Sequence, residues 1–140
     1  MPFERILVAI DGSQGANRAL ATALDLTRLA GAHLTALAIE GPLPAYAATI
    51  GEVEEVKRQK DRFLDWVAQD AREQAEAAGV AIDVEVRAGH AAELITGYAR
   101  ERDADLVVVG HKGHFLQDYV LGSTADRVAH HAHCPVMIVK

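Results

Sequence analysis

The chain has 140 residues, the length of one ordinary domain, and 50% of them are hydrophobic. Together with a charged fraction of 24%, this composition supports a packed core and excludes wholesale disorder. The formal net charge is −6 and no run of lysine or arginine occurs, which excludes a general nucleic-acid-binding protein and a basic membrane-surface protein.

The sequence shows no signal for a membrane or for export. No apolar run approaches the roughly 18 residues of a membrane span. The segment from Met1 to Asp11 lacks the basic, apolar and small-residue layout of a signal peptide. The single cysteine, Cys134, excludes an intrachain disulfide and suits a reducing compartment. We therefore expect a cytoplasmic protein without membrane or nucleic-acid partners.

The first half of the chain alternates between predicted strands and helices. The apolar run Arg5–Ile10 predicts a buried strand that ends at Asp11-Gly12-Ser13. A helix follows, with Ser13 as its N-cap and Gly31 just past its end. Residues 34–39 predict a second strand.

A long loop and a long helix come next. The Gly-Pro-Leu-Pro sequence at 41–44 predicts a loop over residues 41–51. Residues 52–78 predict one helix, which ends at Gly79. Its predicted apolar stripe consists of Val53, Val56, Phe63, Leu64, Val67, Ala71, Ala75 and Ala78.

The second half continues the alternation. Residues 80–86 alternate between apolar and polar side chains, which is typical of an edge strand. Gly89 precedes a helix predicted over residues 90–102. A strongly apolar strand at 106–109 ends at Gly110, a helix is predicted over Ser123–His131, and residues 135–139 form the last strand.

This order of elements defines the fold class. Five strands alternate with four helices, which is the pattern of an open parallel sheet covered on both faces. The first and fourth strands have the densest apolar runs and are predicted to be central. We predict one α/β domain over residues 1–140, a Rossmann-like five-stranded parallel sheet of strand order 3-2-1-4-5.

Two loops are predicted to meet at the carboxyl edge of this sheet, where ligands bind to open α/β folds. One is residues 11–13. The other begins at Gly110 and Gly113, which let backbone amides approach a ligand closely, and continues to the helix start at residues 122–124. Helix-start amides attract phosphate without basic side chains, and Lys112 is the one cation of this loop. Alternatively, the glycines and the helix cap serve only the fold.

Several stretches carry a family resemblance that covers nearly the whole chain. They are residues 6–13, 105–113, 121–123 and 134–136, and they resemble the universal stress protein family. In the ATP-binding branch of that family, spaced glycines precede a serine or threonine. Gly110, Gly113, Gly122 and Ser123 match that pattern. The spacer between Gly113 and Gly122 has eight residues, one fewer than the pattern has.

The resemblance implies an ATP site, with Asp11 near the ribose and phosphates and Ile39 against adenine. It implies that the glycine loop wraps the ribose and phosphates and that the helix start holds the phosphate chain. The residues implied to contact the nucleotide are Ala9, Ile10, Asp11, Ile39, Val109, Gly110, His111, Gly113, Gly122, Ser123 and Thr124.

The charge of Asp11 implies a metal ion. Two unit charges about 4 Å apart near a protein surface interact by about 4 kcal/mol, so a carboxylate repels a nearby triphosphate. We expect Mg²⁺ to bridge Asp11 and the phosphates. The alternatives are that Asp11 hydrogen-bonds the ribose away from the phosphates, or that it only caps its own turn.

The sequence does not specify a catalytic site. The chain lacks the Gly-x-x-x-x-Gly-Lys-Ser/Thr loop of P-loop enzymes, so we expect ATP binding with little or no hydrolysis. His130, His131, His133 and Cys134 lie close in sequence. They lack a second ligand pair at zinc-finger spacing, and we expect them to cover a helix end.

The last strand is expected to mediate self-association. Val136–Val139 is apolar on both sides, no further helix follows it in the printed sequence, and an uncovered apolar edge strand is an aggregation hazard. Pairing with the same strand of a second copy removes that hazard, and the family resemblance implies the same homodimer.

Two functional classes stay open. The first is an ATP-binding stress-response regulator, a nucleotide-dependent homodimer that acts on an unidentified protein partner. The second is a protein-interaction module of the same fold that binds no nucleotide. ATP, AMP and other nucleotides are not distinguished.

Overall fold

The computed structural model of the chain describes residues 3–40, 50–111 and 122–140. Within these ranges the predicted alternation of strands and helices is confirmed. The elements are β1 Arg5–Ile10, α1 Gln14–Ala30, β2 His33–Glu40, α2 Ile50–Ala77, β3 Ile82–Ala88, α3 Ala91–Glu101, β4 Leu106–Gly110, α4 Ser123–His131 and β5 Val136–Val139.

The strands form one parallel sheet of order β3-β2-β1-β4-β5, as predicted. Ile6 of β1 stands between Leu34 of β2 and Leu106 of β4, so β1 is the middle strand and β4, the other strand predicted to be central, lies beside it. The predicted position of β3 at an edge is confirmed as well. From β1 the chain moves outward to β2 and β3, then crosses back to β4 and β5 on the other side. Strand order therefore reverses between β1 and β4.

Two apolar layers cover the sheet because successive strand side chains point to opposite faces. Ile6, Val8 and Ile10 of β1 pack with α1 and α2 on one face. Leu7 of β1 packs on the other face with Val107 of β4, α3 and α4. Four helices therefore bury a sheet built almost without aromatic side chains.

The ends of α1 follow the chemistry expected from the sequence. The Oγ of Ser13 accepts a hydrogen bond from the amide of Ala16 at 3.1 Å, which satisfies one of the free amides of the first turn. Gly31 adopts a left-handed conformation with φ of 65° and donates its amide to the carbonyl of Thr27.

Two expectations about boundaries were wrong by two residues. Strand β3 starts at Ile82 instead of residue 80, because the amide of Val80 still bonds the carbonyl of Ala75 at 2.9 Å and so closes α2. Helix α2 starts at residue 50 and so includes the last two residues of the predicted loop, whose other residues lie outside the described ranges.

Three members of the predicted apolar stripe of α2 are not in the core, because Phe63 is exposed and Val53 and Val56 are half-buried outside both core clusters. Leu64 and Val67 are 5% and 4% exposed, whereas Phe63 is 49% exposed. None of the helices in the described ranges is both long and apolar enough to span a membrane.

Candidate functional site

The reversal of strand order places the ends of β1 and β4 side by side at the carboxyl edge of the sheet. Val8 of β1 pairs with Val108 of β4, and both strands end within two residues of this pair. Helix α1 leaves this edge over one face of the sheet and α4 over the other. The point where strand order reverses is where open α/β sheets bind their ligands.

The turn after β1 holds Asp11 in a fixed direction. The Oδ1 of Asp11 accepts a hydrogen bond from the amide of Ser13 at 2.9 Å, and Gly12 between them has a φ of 83°. Asp11 therefore caps its own turn, as one of the alternatives proposed. Its side chain is nevertheless exposed, and its Oδ2 makes no hydrogen bond with any described residue.

An aromatic side chain of α2 supports this turn from outside. A Cβ on Gly12 would lie 2.6 Å from Cζ of Phe63 and 3.2 Å from Cγ2 of Val67, so the turn and α2 are in close contact. The ring of Phe63 also pairs with Trp66, with ring centroids 5.9 Å apart. The sequence analysis missed this contact. The only signal for it was an aromatic pair in a highly charged helix.

Gly110 is required by the packing of the edge itself. A Cβ on Gly110 would lie 2.8 Å from the backbone carbon and 2.9 Å from the backbone oxygen of Gly15. The first turn of α1 therefore rests directly on the end of β4. Gly15, which is not among the predicted site residues, is buried at this contact.

His111 joins the end of β4 to the start of α4. Its amide donates to the carbonyl of Val139 at 2.8 Å, and its carbonyl accepts from the amide of Gly122 at 2.7 Å. The side chain of His111 is buried, with 8% exposed. The hydrogen bond between His111 and Gly122 holds the end of β4 and the start of α4 together. Lys112 and Gly113, two of the predicted loop residues, lie outside the described ranges.

The start of α4 offers unpaired amides to this edge. Gly122 is the N-cap and has no side chain to accept a hydrogen bond. Among the described residues, the amides of Ser123, Thr124 and Ala125 have no acceptor, and the first intrahelical bond runs from Asp126 to Gly122 at 2.9 Å. Ser123 is exposed and Thr124 half-buried, so both hydroxyls are accessible. A helix start with free amides attracts anions.

The other predicted contact residues differ in what they can offer a ligand. Ile10 and Val109 are each 3% exposed and belong to the cores on opposite faces of the sheet. Their side chains are unavailable, so only their backbone can face a nucleotide. Ala9 and Ile39 are half-buried near the ends of β1 and β2, which leaves apolar surface at the same edge.

The histidines near the last strand take part in local contacts. The Nε2 of His130 lies 3.3 Å from Oδ1 of Asp126, one helical turn away. In the part of the chain that the structure describes, no three histidine, cysteine or acidic residues are placed to hold a metal ion. Burial, and then the nearby Asp105 carboxylate, raise the pKa of the Cys134 thiol.

The fold defines a Rossmann-like α/β protein whose strand order reverses between β1 and β4. The sequence profile of the universal stress protein family matches residues 2–140. Universal stress protein YxiE of Bacillus subtilis is 32% identical over 151 aligned positions, which cover 99% of each chain. The chain belongs to the universal stress protein family.

Solved structures agree with this assignment. The universal stress protein UspA from Lactobacillus plantarum superposes with a TM-score of 0.87 and 25% identity, over 100% of this chain and 99% of that one. A universal stress protein solved in complex with cAMP superposes with a TM-score of 0.78 and 25% identity, with the same coverage.

Proposed function

We propose that this protein is an ATP-binding stress-response regulator that binds the nucleotide together with Mg²⁺. The observation that carries the proposal is the start of α4. Its first amides have no acceptor among the described residues, and the hydrogen bond between His111 and Gly122 fixes it beside the end of β4. Phosphate oxygens are the acceptors that such amides bind in other α/β proteins.

The start of α4 can bind phosphate in a protein of net charge −6. The helix dipole places a partial positive charge there, and the hydroxyls of Ser123 and Thr124 add two donors. The affinity then depends on directed amides and hydroxyls, so the protein needs no cluster of lysine or arginine.

Asp11 fits a magnesium ion at this edge. One carboxylate oxygen holds the turn and the other has no partner among the described residues. Mg²⁺ prefers oxygen ligands and is commonly bound by one or two carboxylates together with substrate phosphates and water. The ion would remove the repulsion between Asp11 and a phosphate chain. Without it, Asp11 would oppose the binding of a triphosphate.

The adenine base of the nucleotide would lie toward β2. Ile39 is half-buried one residue before the end of that strand and offers an apolar surface to a flat ring. A family relative of the same fold was solved with cAMP, which supports an adenine nucleotide as the ligand class. We propose ATP as the ligand, with AMP and cAMP as the alternatives to compare with it.

We propose binding with little or no hydrolysis. Asp11, Ser123 and Thr124 can hold a nucleotide, but none of them is a cation that stabilises the charge of a transferring phosphoryl group. The bound nucleotide would then act as a signal, read by an unidentified protein partner. Nucleotide exchange would control that interaction.

We propose that the acting unit is a homodimer formed through β5. This strand lies at one edge of the described sheet, and all four of its residues are half-buried. Met137 and Val139 pack toward one core and Val136 and Ile138 toward the other. A second copy paired along this edge would cover the remaining apolar surface on both faces.

A protein-interaction module without a nucleotide is the second candidate function. The observation that favours it is that three motif residues already have structural roles. Gly110 makes room for Gly15, Asp11 caps its turn, and Ser13 caps α1. In that case the same edge would be a rigid surface for a partner protein.

Calorimetric titration separates the two candidates. ATP, AMP and cAMP are titrated with and without Mg²⁺ into the wild type and into Asp11→Asn. Asparagine can still accept the Ser13 amide but carries no charge. We expect this variant to lose about 10- to 100-fold in Mg-ATP affinity, the equivalent of about 1.5–3 kcal/mol. AMP affinity without Mg²⁺ should stay within about twofold.

The control is Asp65→Asn, which removes an exposed carboxylate from α2 and should bind like the wild type. Binding of none of the three nucleotides by the wild type would reject the proposal in favour of the interaction module. Equal Mg-ATP affinity in Asp11→Asn would reject the magnesium bridge alone.

A further inference from the structure

A polar cleft opens at the amino edge of the sheet, opposite the candidate nucleotide site. Its volume is about 390 Å³, which is within the range of small-molecule sites. The floor includes Thr35 of β2 with Asp83 and Glu85 of β3, and the roof is Tyr98 in the last turn of α3 together with Arg102 just after the helix. Neither the proposed function nor the family assignment uses this cleft.

The cleft exists because charged residues of β3 lie on the α3 face of the sheet. Thr35 pairs with Asp83 and Leu37 with Glu85, so these residues share one face. Leu37 belongs to the core beneath α3 and α4, but its neighbour Glu85 is a half-buried carboxylate. The apolar packing therefore stops at β2, and a polar floor begins at β3.

The side chains that line the cleft carry more negative than positive charge. Four carboxylates and two guanidinium groups line it. Arg5 lies 3.9 Å from Asp103, and the Nε2 of His33 lies 2.8 Å from Oδ2 of Asp83. The carboxylates of Glu85 and Glu101 make no ion pair or hydrogen bond with a described residue. The carboxyl end of α3, with its partial negative charge, adds to this excess.

A tyrosine that is mostly buried lines the same cleft, and its hydroxyl has no hydrogen-bond partner among the described residues. This residue, Tyr98, is 7% exposed. Burial, and then the Glu85 carboxylate, raise the pKa of Tyr98, so the hydroxyl stays protonated near neutral pH. Arg102 lies 5.3 Å from the ring centroid, and Arg87, which does not line the cleft, lies 5.5 Å from it. Their guanidinium groups face the ring of Tyr98.

We propose that this cleft binds a small organic cation through a primary ammonium group, with Glu85, Glu101 and Tyr98 as its oxygen acceptors. An ammonium group has three donors and no acceptor, which matches two carboxylates and a hydroxyl. No three acidic, histidine or cysteine side chains in the described ranges are placed to hold one metal ion, whereas an ammonium group needs only the two carboxylates and the hydroxyl.

An NMR titration of the nucleotide-free protein tests the proposal. The probe is 1,4-diaminobutane at constant ionic strength, and the neutral control ligand is 1,4-butanediol. We expect saturable shifts of the Thr35, Glu85 and Tyr98 amide signals with the diamine only. Glu85→Gln should weaken binding by about tenfold or more, because a charge-assisted hydrogen bond is lost. Tyr98→Phe should weaken it by about three- to tenfold.

The matched control is Glu76→Gln, which removes an exposed carboxylate from α2 and should bind the diamine like the wild type. Circular dichroism checks that each variant is folded. Equal shifts with the diol, no saturation with the diamine, or unchanged binding in Glu85→Gln would each overturn the proposal. The peptide acetyl-Gly-Lys-Gly-amide, in which the lysine side chain carries the only ammonium group, identifies the source of that group. Tighter binding than the diamine assigns it to a partner's lysine, and weaker binding assigns it to a free amine, and both results support an ammonium site.

Discussion

At the residue scale, Gly110 shows that one glycine can have two explanations. Its place in the glycine pattern predicts a phosphate site, because glycine lets backbone amides approach a phosphate. The structure shows that it also lets α1 rest on the end of β4, with Gly15 on the other side. The glycine pattern thus predicted the right position. It could not separate ligand binding from packing, because the partner glycine is distant in sequence.

The packing role of Gly110 predicts the effect of Gly110→Ala. The added Cβ would lie 2.8 Å from the Gly15 backbone, which cannot rotate away as a side chain can. We expect a loss of about 1–3 kcal/mol in the free energy of unfolding, measured by urea denaturation. Gly97→Ala is the matched control, because nothing lies within 4 Å of its new Cβ in the middle of α3. That variant should gain about 0.5–1 kcal/mol. Equal stability of Gly110→Ala and the wild type would contradict the contact.

Cys134 should be a slow thiol. Burial, and then the Asp105 carboxylate, disfavour its thiolate and raise its pKa above the usual range for a cysteine. Because the thiolate is the reactive form, alkylation by iodoacetamide should be slower than that of glutathione at neutral pH. The alkylation rate of Cys134 should also rise with pH, and the midpoint of that rise should lie at a higher pH than the midpoint for glutathione. Denatured protein, in which both causes vanish, is the control. A native rate equal to the denatured rate would refute the prediction.

At the element scale, α2 shows the limit of periodicity. The spacing of apolar residues predicted one long helix and most of its buried face, which includes Leu64 and Val67. It also placed Phe63 in the core, but this ring is half-exposed and covers the Gly12 turn. Periodicity reports the face of a helix. It does not predict which part of the helix lies against the sheet, because that depends on the position of the helix in the packed fold.

Removal of the Phe63 ring should loosen the turn that carries Asp11. We expect Phe63→Ala to cost about 1–2 kcal/mol in the free energy of unfolding, below the range for a fully buried phenylalanine. The Ser13 amide, which bonds Asp11 at 2.9 Å, should exchange its hydrogen several-fold faster. Trp66→Ala removes the neighbouring exposed ring and is the control. If both variants changed Ser13 exchange equally, the contact with the turn would not be the cause.

At the scale of the whole molecule, the position of the candidate site follows from topology. Strand alternation and apolar density predicted the sheet order, and that order brings residues 11–13 next to Gly110 although they are far apart in sequence. The cleft at the opposite edge could not be predicted in this way. It depends on Tyr98 and Glu85 meeting across α3 and β3, and no local pattern marks such a contact.

The backbone direction of β5 supplies a test of the proposed homodimer. In this parallel pair the carbonyls of Pro135 and Val139 accept hydrogen bonds from β4, at 3.0 and 2.8 Å. Because inward and outward groups alternate along a strand, the amide of Ile138 points away from β4 toward the open edge. In the homodimer this amide would donate a hydrogen bond to β5 of the second copy. Within the sheet of a single copy it donates none.

Ile138→Pro should therefore separate the dimer without opening the sheet, since proline is tolerated in an edge strand where the amide faces outward. Ile138→Ala, which keeps the amide and removes most of the side chain, is the matched control. In sedimentation equilibrium at micromolar concentration, we expect the wild type at twice the 15.0 kDa chain mass. The proline variant should dissociate at least about tenfold more readily than the alanine variant. A monomeric wild type would reject the dimer. Equal dissociation of the two variants would place the interface elsewhere, because the only difference tested between them is the outward amide of β5.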